Sequence, residues 1–170
     1  MKGFYFLKKA PGFQNTEKSF YLLPNQNTLI MDTSFLSQLN WLAILVAAVA
    51  YFMLGALWYS KILFANTWIK STGIDMSNPN AKKGVGGVMA FSFVLMFITC
   101  IGLAIIIHRL GLTTWMSGIK TGLITGICFS GTSVFISYLY QMKPKVLSFI
   151  DGVYHVVGQC IAGIILCMWH

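Results

Sequence analysis

Charged side chains are scarce in this sequence. Asp, Glu, Lys and Arg together make up 9% of its 170 residues, whereas a soluble domain carries about 25%. So few charges cannot cover a protein of this size with a polar surface. A water-soluble fold is therefore excluded, and the hydrophobic content of 56% indicates a chain that is solvated largely by lipid.

The sequence also lacks the residue patterns of familiar enzymes and cofactor sites. Its four cysteines form no CxxC pair, and it contains no HExxH, GxSxG or phosphate-loop motif. A haem held by two histidines needs both at one depth, whereas His108 and His155 belong to opposite sides of the membrane. We therefore expect no enzymatic activity, no cofactor and no bound metal.

Four long windows contain no Asp, Glu, Lys or Arg, and each is close to the roughly 20 residues that cross about 30 Å of hydrocarbon as a helix. They are residues 33–60, 84–108, 121–142 and 152–170. Lipid offers the backbone no hydrogen-bond partners, and the alternating pattern of barrel strands is absent, so the spans are predicted to be helices. The expected fold is an all-α, polytopic membrane protein with four transmembrane helices in an antiparallel bundle.

The stretch LGALWYSKILFANTWIK, residues 54–70, indicates how the first span ends. The amphipathic rings of Trp58 and Tyr59 favour the headgroup level of a bilayer, where the Lys61 side chain can also reach water. Residues 62–70 are then expected to lie along the membrane surface as a short interfacial segment. Its bulky residues would face the acyl chains: Ile62, Leu63, Phe64 and Trp68. In the alternative interpretation, this stretch extends the first helix and packs on its neighbours.

Residues 1–32 do not match the pattern of the spans. They carry four lysines and several Asn and Gln residues. Their apolar stretch, GFYFL, is much shorter than the core of a signal peptide, which has about 7 to 15 residues. We expect a poorly structured N-terminal extension here, or sequence upstream of a natural start at Met31. The transmembrane domain is then expected over residues 33–170.

The distribution of Lys and Arg predicts the orientation of the chain. Counted from Met31, six basic residues lie after the first and third spans, and two lie on the side of the termini. The six are Lys61, Lys70, Lys82, Lys83, Lys143 and Lys145, and the two are Arg109 and Lys120. Counting residues 1–32 would balance the two sides, although charges far from a span carry little weight.

Basic residues near span ends favour the cytoplasmic side. Residues 61–83 and 143–145 are therefore expected in the cytoplasm and both termini outside, in a multi-pass protein of the cell membrane, or of the inner membrane in a Gram-negative cell. The net charge of +8 is therefore explained by the orientation of the chain in the membrane. Because the lysines flank spans and do not form one stripe, we expect no nucleic-acid partner.

The stretch NWLAILVAAVAYFMLGALWYSKILFANTWIKSTGI resembles the opening of a family of small bacterial membrane proteins that is catalogued as a domain of unknown function. The similarity continues through the glycine-rich third span and the FIDGVY stretch near the fourth, so it covers about residues 31–170. The resemblance implies four spans and a start near the first span, which agrees with Met31. It implies no catalytic residues.

Small residues recur at every fourth position of the third span: Gly118, Gly122, Gly126 and Ser130. Such a face lets a second backbone approach closely. Two interpretations remain open, which are packing within the bundle and a seam between copies in a homo-oligomer.

Polar residues inside a span are candidates for function because burying them in lipid is costly. If the fourth helix begins near Val146, then Asp151, His155 and Gln159 lie one turn apart on one face. A carboxylate one turn from an imidazole favours the protonated imidazole, which suits a proton-linked or cation site. The alternative places Asp151 at the interface near the helix N-terminus and His155 in a hydrogen bond to a neighbouring helix.

Two functions are compatible with these residues. The first is a structural or accessory membrane protein whose helices pack against each other or against a partner. The second is a small oligomeric transporter or channel, in which Asp151, His155 and Gln159 line a polar site. The lipid bilayer is the expected partner in both cases, and the sequence identifies no small-molecule or ion substrate.

Overall fold

The structure, a computed structural model, describes residues 34–75, 78 and 83–169. The chain divides into two units, Met1–Gln38 and Leu39–His170. In the described part of the first unit, Ser34–Gln38 forms a short 3₁₀ helix. The predicted N-terminal extension over residues 1–32 and the predicted start at Met31 lie outside the described residues.

The second unit contains five helices in its described part, and every regular element there is helical. They are α1 (Trp41–Trp58), α2 (Ala65–Thr72), α3 (Val85–Arg109), α4 (Trp115–Tyr140) and α5 (Lys145–Met168). Four of them, α1, α3, α4 and α5, are long and apolar enough to cross a membrane. The predicted all-helical fold with four such helices is therefore confirmed.

The third span begins earlier than its charge-free window, and the fourth begins beside Val146, the start from which the polar face was predicted. Helix α4 starts at Trp115 and α5 starts at Lys145, so Lys120 and Asp151 lie inside helices. The exposed Lys120 side chain can extend along the helix towards water. Asp151 is instead buried, so its carboxylate needs partners within the bundle.

Local signals set the ends of these helices. Asn40 caps α1, because its side chain accepts a hydrogen bond of 3.0 Å from the Ala43 N–H. Thr114 caps α4 in the same way, through the Ser117 N–H at 3.2 Å. Gly111 follows α3 with φ of +60°, a left-handed conformation that glycine adopts with little strain. The chain can thus reverse direction between α3 and α4 over a few residues.

Helix α4 contains a π-helical turn near its centre, Gly126–Gly131. In an ideal α-helix, positions four residues apart differ by roughly 40° in direction, so a face repeated at every fourth position drifts around the helix. A π turn has i→i+5 hydrogen bonds and rotates less per residue, which slows this drift. Both halves of α4 consequently contact α5.

Helix α5 is the central helix of the bundle. It contacts each of the other four helices, and half of its most apolar window is buried, compared with 28% in α1, 22% in α3 and 17% in α4. The outer surfaces of the other spans carry large exposed apolar side chains, such as Phe91 on α3 and Leu139 on α4. Contiguous apolar surface of this kind is unfavourable in water and suits contact with lipid.

The residues after α1 fold back onto the bundle. The ring of Phe64 lies 4.9 Å from that of Trp58, and the ring of Trp68 lies 5.7 Å from that of Tyr59, measured between centroids. Phe64 and Trp68 are half-buried against these rings, so only part of each side chain is left to face the acyl chains. Aromatic side chains can bury their area equally well against other rings, and the Tyr59–Trp68 pair also has the favourable edge-to-face geometry.

The prediction for Ile62 and Leu63 and the alternative of one extended helix have different outcomes. Ile62 and Leu63 are exposed, as the prediction of a surface segment requires. A turn between Trp58 and Ala65 separates α1 from α2, so the alternative of one continuous extended helix does not form. The segment is therefore a short separate helix that packs against α5 while its preceding turn exposes two apolar side chains.

Candidate functional site

Asp151 lies six residues into α5 and accepts two hydrogen bonds from tyrosines. The Tyr59 hydroxyl donates to Oδ1 and the Tyr138 hydroxyl donates to Oδ2, each over 2.7 Å. These distances are within the short range typical of hydroxyl donors bound to a carboxylate. The Asp151 side chain is only 8% exposed. Tyr59 follows α1 and Tyr138 lies in the last turn of α4, so one carboxylate of α5 joins three of the four spans.

The two hydroxyls compensate in part for burying the carboxylate. A charged group that leaves water loses its hydration, and hydrogen bonds to the charged form recover part of that loss. Burial, and secondly the hydrogen bond to Asp151, raise the pKa of the Tyr59 phenol above its ordinary value. Tyr59 therefore keeps its proton and remains a donor to the carboxylate at physiological pH.

His155 lies one turn further along α5 and also pairs with a tyrosine. Its Nδ1 atom is 2.6 Å from the hydroxyl of Tyr51, and the imidazole tautomer determines which of the two donates. The same hydroxyl donates a longer bond of 3.4 Å to the His155 carbonyl oxygen. Tyr51 is 1% exposed at the centre of the bundle. The partners of Asp151 and His155 are thus tyrosines, and the bond of His155 to α1 is the hydrogen bond to a neighbouring helix that the alternative interpretation predicted.

Gln159 is the third residue of the predicted polar face. Its Nε2 donates a hydrogen bond to the hydroxyl of Ser130, which lies in the π turn of α4. The Gln159 side chain is 2% exposed. Ser130 was predicted only as a small packing residue, and the structure uses its hydroxyl as a polar partner. The π turn is what brings Ser130 to the side of α4 that faces α5.

The three polar residues therefore point into the bundle and bind to other helices. Sequence reasoning missed their partners: Tyr51, Tyr138 and Ser130 in its polar role. A usable signal was present, because a tyrosine inside an apolar span carries a hydroxyl that lipid cannot satisfy. Tyr51 and Tyr59 also lie eight residues apart, which places them on similar sides of a continuing helix.

The predicted glycine face of α4 lies against the backbone of α5. A side-chain carbon added at Gly122 would lie 2.5 Å from the Cys160 Cα, and one added at Gly126 would lie 2.7 Å from the Val156 Cα. At Gly118 it would overlap the carbonyl group of Gly163. The face is used within the chain, so a homo-oligomer would need a different surface.

Two tyrosines and two glycines interlock between α1 and α5. The Tyr51 ring of α1 covers Gly158 of α5, where an added carbon would overlap the ring. The Tyr154 ring of α5 in turn covers Gly55 of α1, with its hydroxyl 2.9 Å from the position of an added carbon. That hydroxyl donates to the Tyr51 carbonyl oxygen over 3.3 Å. Each helix thus supplies both a ring and the space for the other ring.

Two of the four predicted interface anchors, Trp58 and Tyr59, turn their polar atoms towards the protein. The Trp58 indole N–H donates to the carbonyl oxygen of Ile150 over 3.0 Å, and Tyr59 binds Asp151 as described. Trp68 packs on Tyr59, whereas Lys61 is exposed. These aromatic residues therefore fasten the end of α1 and the helix α2 to α5, in addition to any contact they make with headgroups.

No group of three or more His, Cys, Asp or Glu side chains that could hold a metal ion occurs among the residues that the structure describes. The polar site on α5 offers one carboxylate, one imidazole and one amide, which lie in successive turns. Chemically, this arrangement can cross-link helices, or it can hold a proton or a small cation at Asp151.

Comparison with known families assigns the chain to a family but identifies no activity. The family model described as protein of unknown function, DUF1761, matches residues 42–167. Because this match covers most of the chain, the protein belongs to that family, and the resemblance seen in the sequence is confirmed over a slightly shorter range. Neither a curated protein nor a solved structure matches the chain.

Proposed function

We propose that this member of the DUF1761 family is a structural or accessory membrane protein without catalytic activity. The observation that supports this most strongly is the pairing of all three polar residues of the α5 face inside the bundle: Asp151, His155 and Gln159 each bind a side chain from another part of the chain. Among the described residues, no buried side-chain nitrogen or oxygen lacks a hydrogen-bond partner.

A fully paired network has a physical role in a membrane helix bundle. Lipid tails are as apolar as leucine, so no hydrophobic force drives helices together, and packing and hydrogen bonds between helices must do so. Groups that are already paired with each other are poor binding sites, because a substrate would first have to break those bonds. The network therefore favours a role in assembling the bundle over a role in carrying a substrate.

A small oligomeric transporter or channel with a proton-linked or cation site on α5 is the second candidate. It is favoured by the nature of the Asp151 partners, which are neutral hydroxyls. A carboxylate with neutral donors keeps its negative charge uncompensated, and it could bind a proton or a cation. In this candidate, Tyr59 and Tyr138 would release Asp151 when the ion arrives.

Flux measurements in liposomes separate the two candidates. We expect the purified wild-type protein, reconstituted into vesicles that enclose a pH-sensitive dye or a dye sensitive to Na⁺ or K⁺, to leak each of these ions no faster than vesicles without protein. A wild-type leak that Asp151→Asn lowers by tenfold or more, in a variant that remains folded, would replace the structural proposal by the transport candidate. The exposed Ser133 provides a matched control, because Ser133→Ala changes a polar residue of α4 that lies on the outer surface.

We further propose that the chain resides in a bacterial cell membrane, with the connections after α1 and after α4 in the cytoplasm. The support is the lysine distribution, since the positive-inside tendency places such loops on the cytoplasmic side. A reporter that is active only in the cytoplasm should be active after Lys83 and after Lys145, and inactive after His170, in a chain that begins at Met31. A cytoplasmic signal from the His170 fusion would reverse the proposed orientation.

A further inference from the structure

One end of the bundle carries an exposed lysine surface. Lys61 follows α1, Lys83 precedes α3, and Lys143 and Lys145 lie at the junction of α4 and α5. Because consecutive spans run in opposite directions, these positions share one end of the bundle, together with Lys70 on α2. All five side chains are exposed. We call this surface, formed by Lys61, Lys70, Lys83, Lys143 and Lys145, the basic end.

The opposite end of the bundle differs in charge. Its described basic residues are Arg109 at the end of α3 and Lys120, which lies within the second turn of α4. The acidic residues described towards the basic end are Asp75 and the buried Asp151, so the five lysines and two carboxylates there sum to about three positive units, against two at the other end. The five exposed lysines therefore make the potential more positive at the surface of the basic end than at the opposite surface.

Exposed apolar side chains stand directly beside these lysines. Ile62, next to Lys61, is 83% exposed, and Met142, next to Lys143, is 92% exposed. A free anion such as phosphate has no use for neighbouring apolar groups. An anionic phospholipid has a phosphate for the lysines and acyl chains for the apolar residues, and lysine stems commonly bridge the two levels.

We propose that the basic end binds the headgroups of anionic phospholipids and thereby stabilises the bundle. The Lys61 and Lys70 side chains would bind headgroups beside α2, and Lys143 with Lys145 would bind them beside the start of α5. The turn that holds Lys61 is fixed by the bond of Tyr59 to Asp151, and Lys145 begins the helix that contains Asp151. Bound headgroups would therefore hold together the same helix ends that Tyr59 and Tyr138 join through their bonds to Asp151.

Thermal unfolding in mixed micelles tests this proposal. The purified protein in a neutral detergent would be titrated with phosphatidylglycerol or with phosphatidylcholine of the same acyl composition. We expect phosphatidylglycerol to raise the unfolding temperature and phosphatidylcholine to have little effect. In the variant Lys143→Gln/Lys145→Gln, half-maximal stabilisation should require about 25-fold more phosphatidylglycerol, since each lysine near an anionic surface contributes about fivefold to binding.

The matched control is Arg109→Gln/Lys120→Gln, which removes the same charge from the opposite end and should titrate like the wild type. Inorganic phosphate at the same concentration should not stabilise the protein, and 0.5 M NaCl should weaken the lipid effect. Equal stabilisation by the two lipids, or by inorganic phosphate, would overturn the proposal. An equal loss of stabilisation by phosphatidylglycerol in the two double variants would also overturn the proposal. Should the Lys143→Gln/Lys145→Gln variant fail to fold, the lipid comparison and salt dependence of the wild type decide the matter.

Discussion

Gly122→Leu is expected to lower the thermal unfolding temperature of the detergent-solubilised protein by about 5 to 10 °C or more. An added carbon at this position lies 2.5 Å from both the Cys160 Cα and the Gln159 carbonyl oxygen, and both belong to the backbone of α5. Backbone atoms cannot rotate away as a flexible side chain can, so α4 and α5 must separate. Because helix association in lipid depends on close packing, this separation removes a major source of stability.

Two control substitutions distinguish this effect from a general response to mutation. Ile124→Leu changes an exposed residue two positions away, which is 60% exposed, and should be nearly neutral. Gly102→Ala adds a carbon at a glycine of α3 that has no neighbouring atom within 4 Å, and should preserve or slightly raise stability. Equal unfolding temperatures for Gly122→Leu and Ile124→Leu would show that the glycine face of α4 is not a packing contact.

The glycine face of α4 illustrates both the reach and the limit of sequence reasoning. The spacing of Gly118, Gly122 and Gly126 predicts a close helix contact, and the structure has such a contact with α5. The spacing does not reveal the π turn, because the α-helical period assumes the same rotation at every residue. For that reason, the role of Ser130 as a partner of Gln159 could not be predicted.

The polar face of α5 shows a second limit. Helical spacing is enough to place Asp151, His155 and Gln159 on one side, since all three belong to one helix. Their partners come from other helices, and the partner of His155 lies 104 residues away in the sequence. Nothing in a single sequence fixes how two helices rotate against each other, so a bond of His155 to another helix could be predicted as an alternative, but its tyrosine partner could not.

The residues after α1 show a third limit, which concerns apolar surface. Phe64 and Trp68 were expected to face lipid, and part of each side chain is instead covered by the rings of Trp58 and Tyr59. In a membrane protein, the interior and the surroundings are both apolar, so hydrophobicity alone does not tell which side chain faces inwards. Only the exposed position of Ile62 and Leu63 agrees with the expectation.

Asp151→Ala is the second substitution with a large expected effect. It removes the carboxylate that accepts from the half-buried hydroxyls of Tyr59 and Tyr138. An unsatisfied buried donor costs about 1 to 3 kcal/mol, so the free energy of unfolding should fall by about 2 to 5 kcal/mol. Asp151→Asn should cost less, because the amide keeps an acceptor oxygen and its NH₂ group can donate to a tyrosine hydroxyl.

A double-mutant cycle between Asp151 and Tyr138 tests most directly whether the polar face of α5 holds the bundle together. The free energy of unfolding would be measured for the wild type, Asp151→Ala, Tyr138→Phe and the double variant in the same detergent. If the two side chains stabilise each other, the double variant should cost less than the sum of the single variants, with a coupling of about 0.5 to 3 kcal/mol. Additive costs would mean that the bond contributes nothing to stability, and they would contradict the structural role proposed for this network.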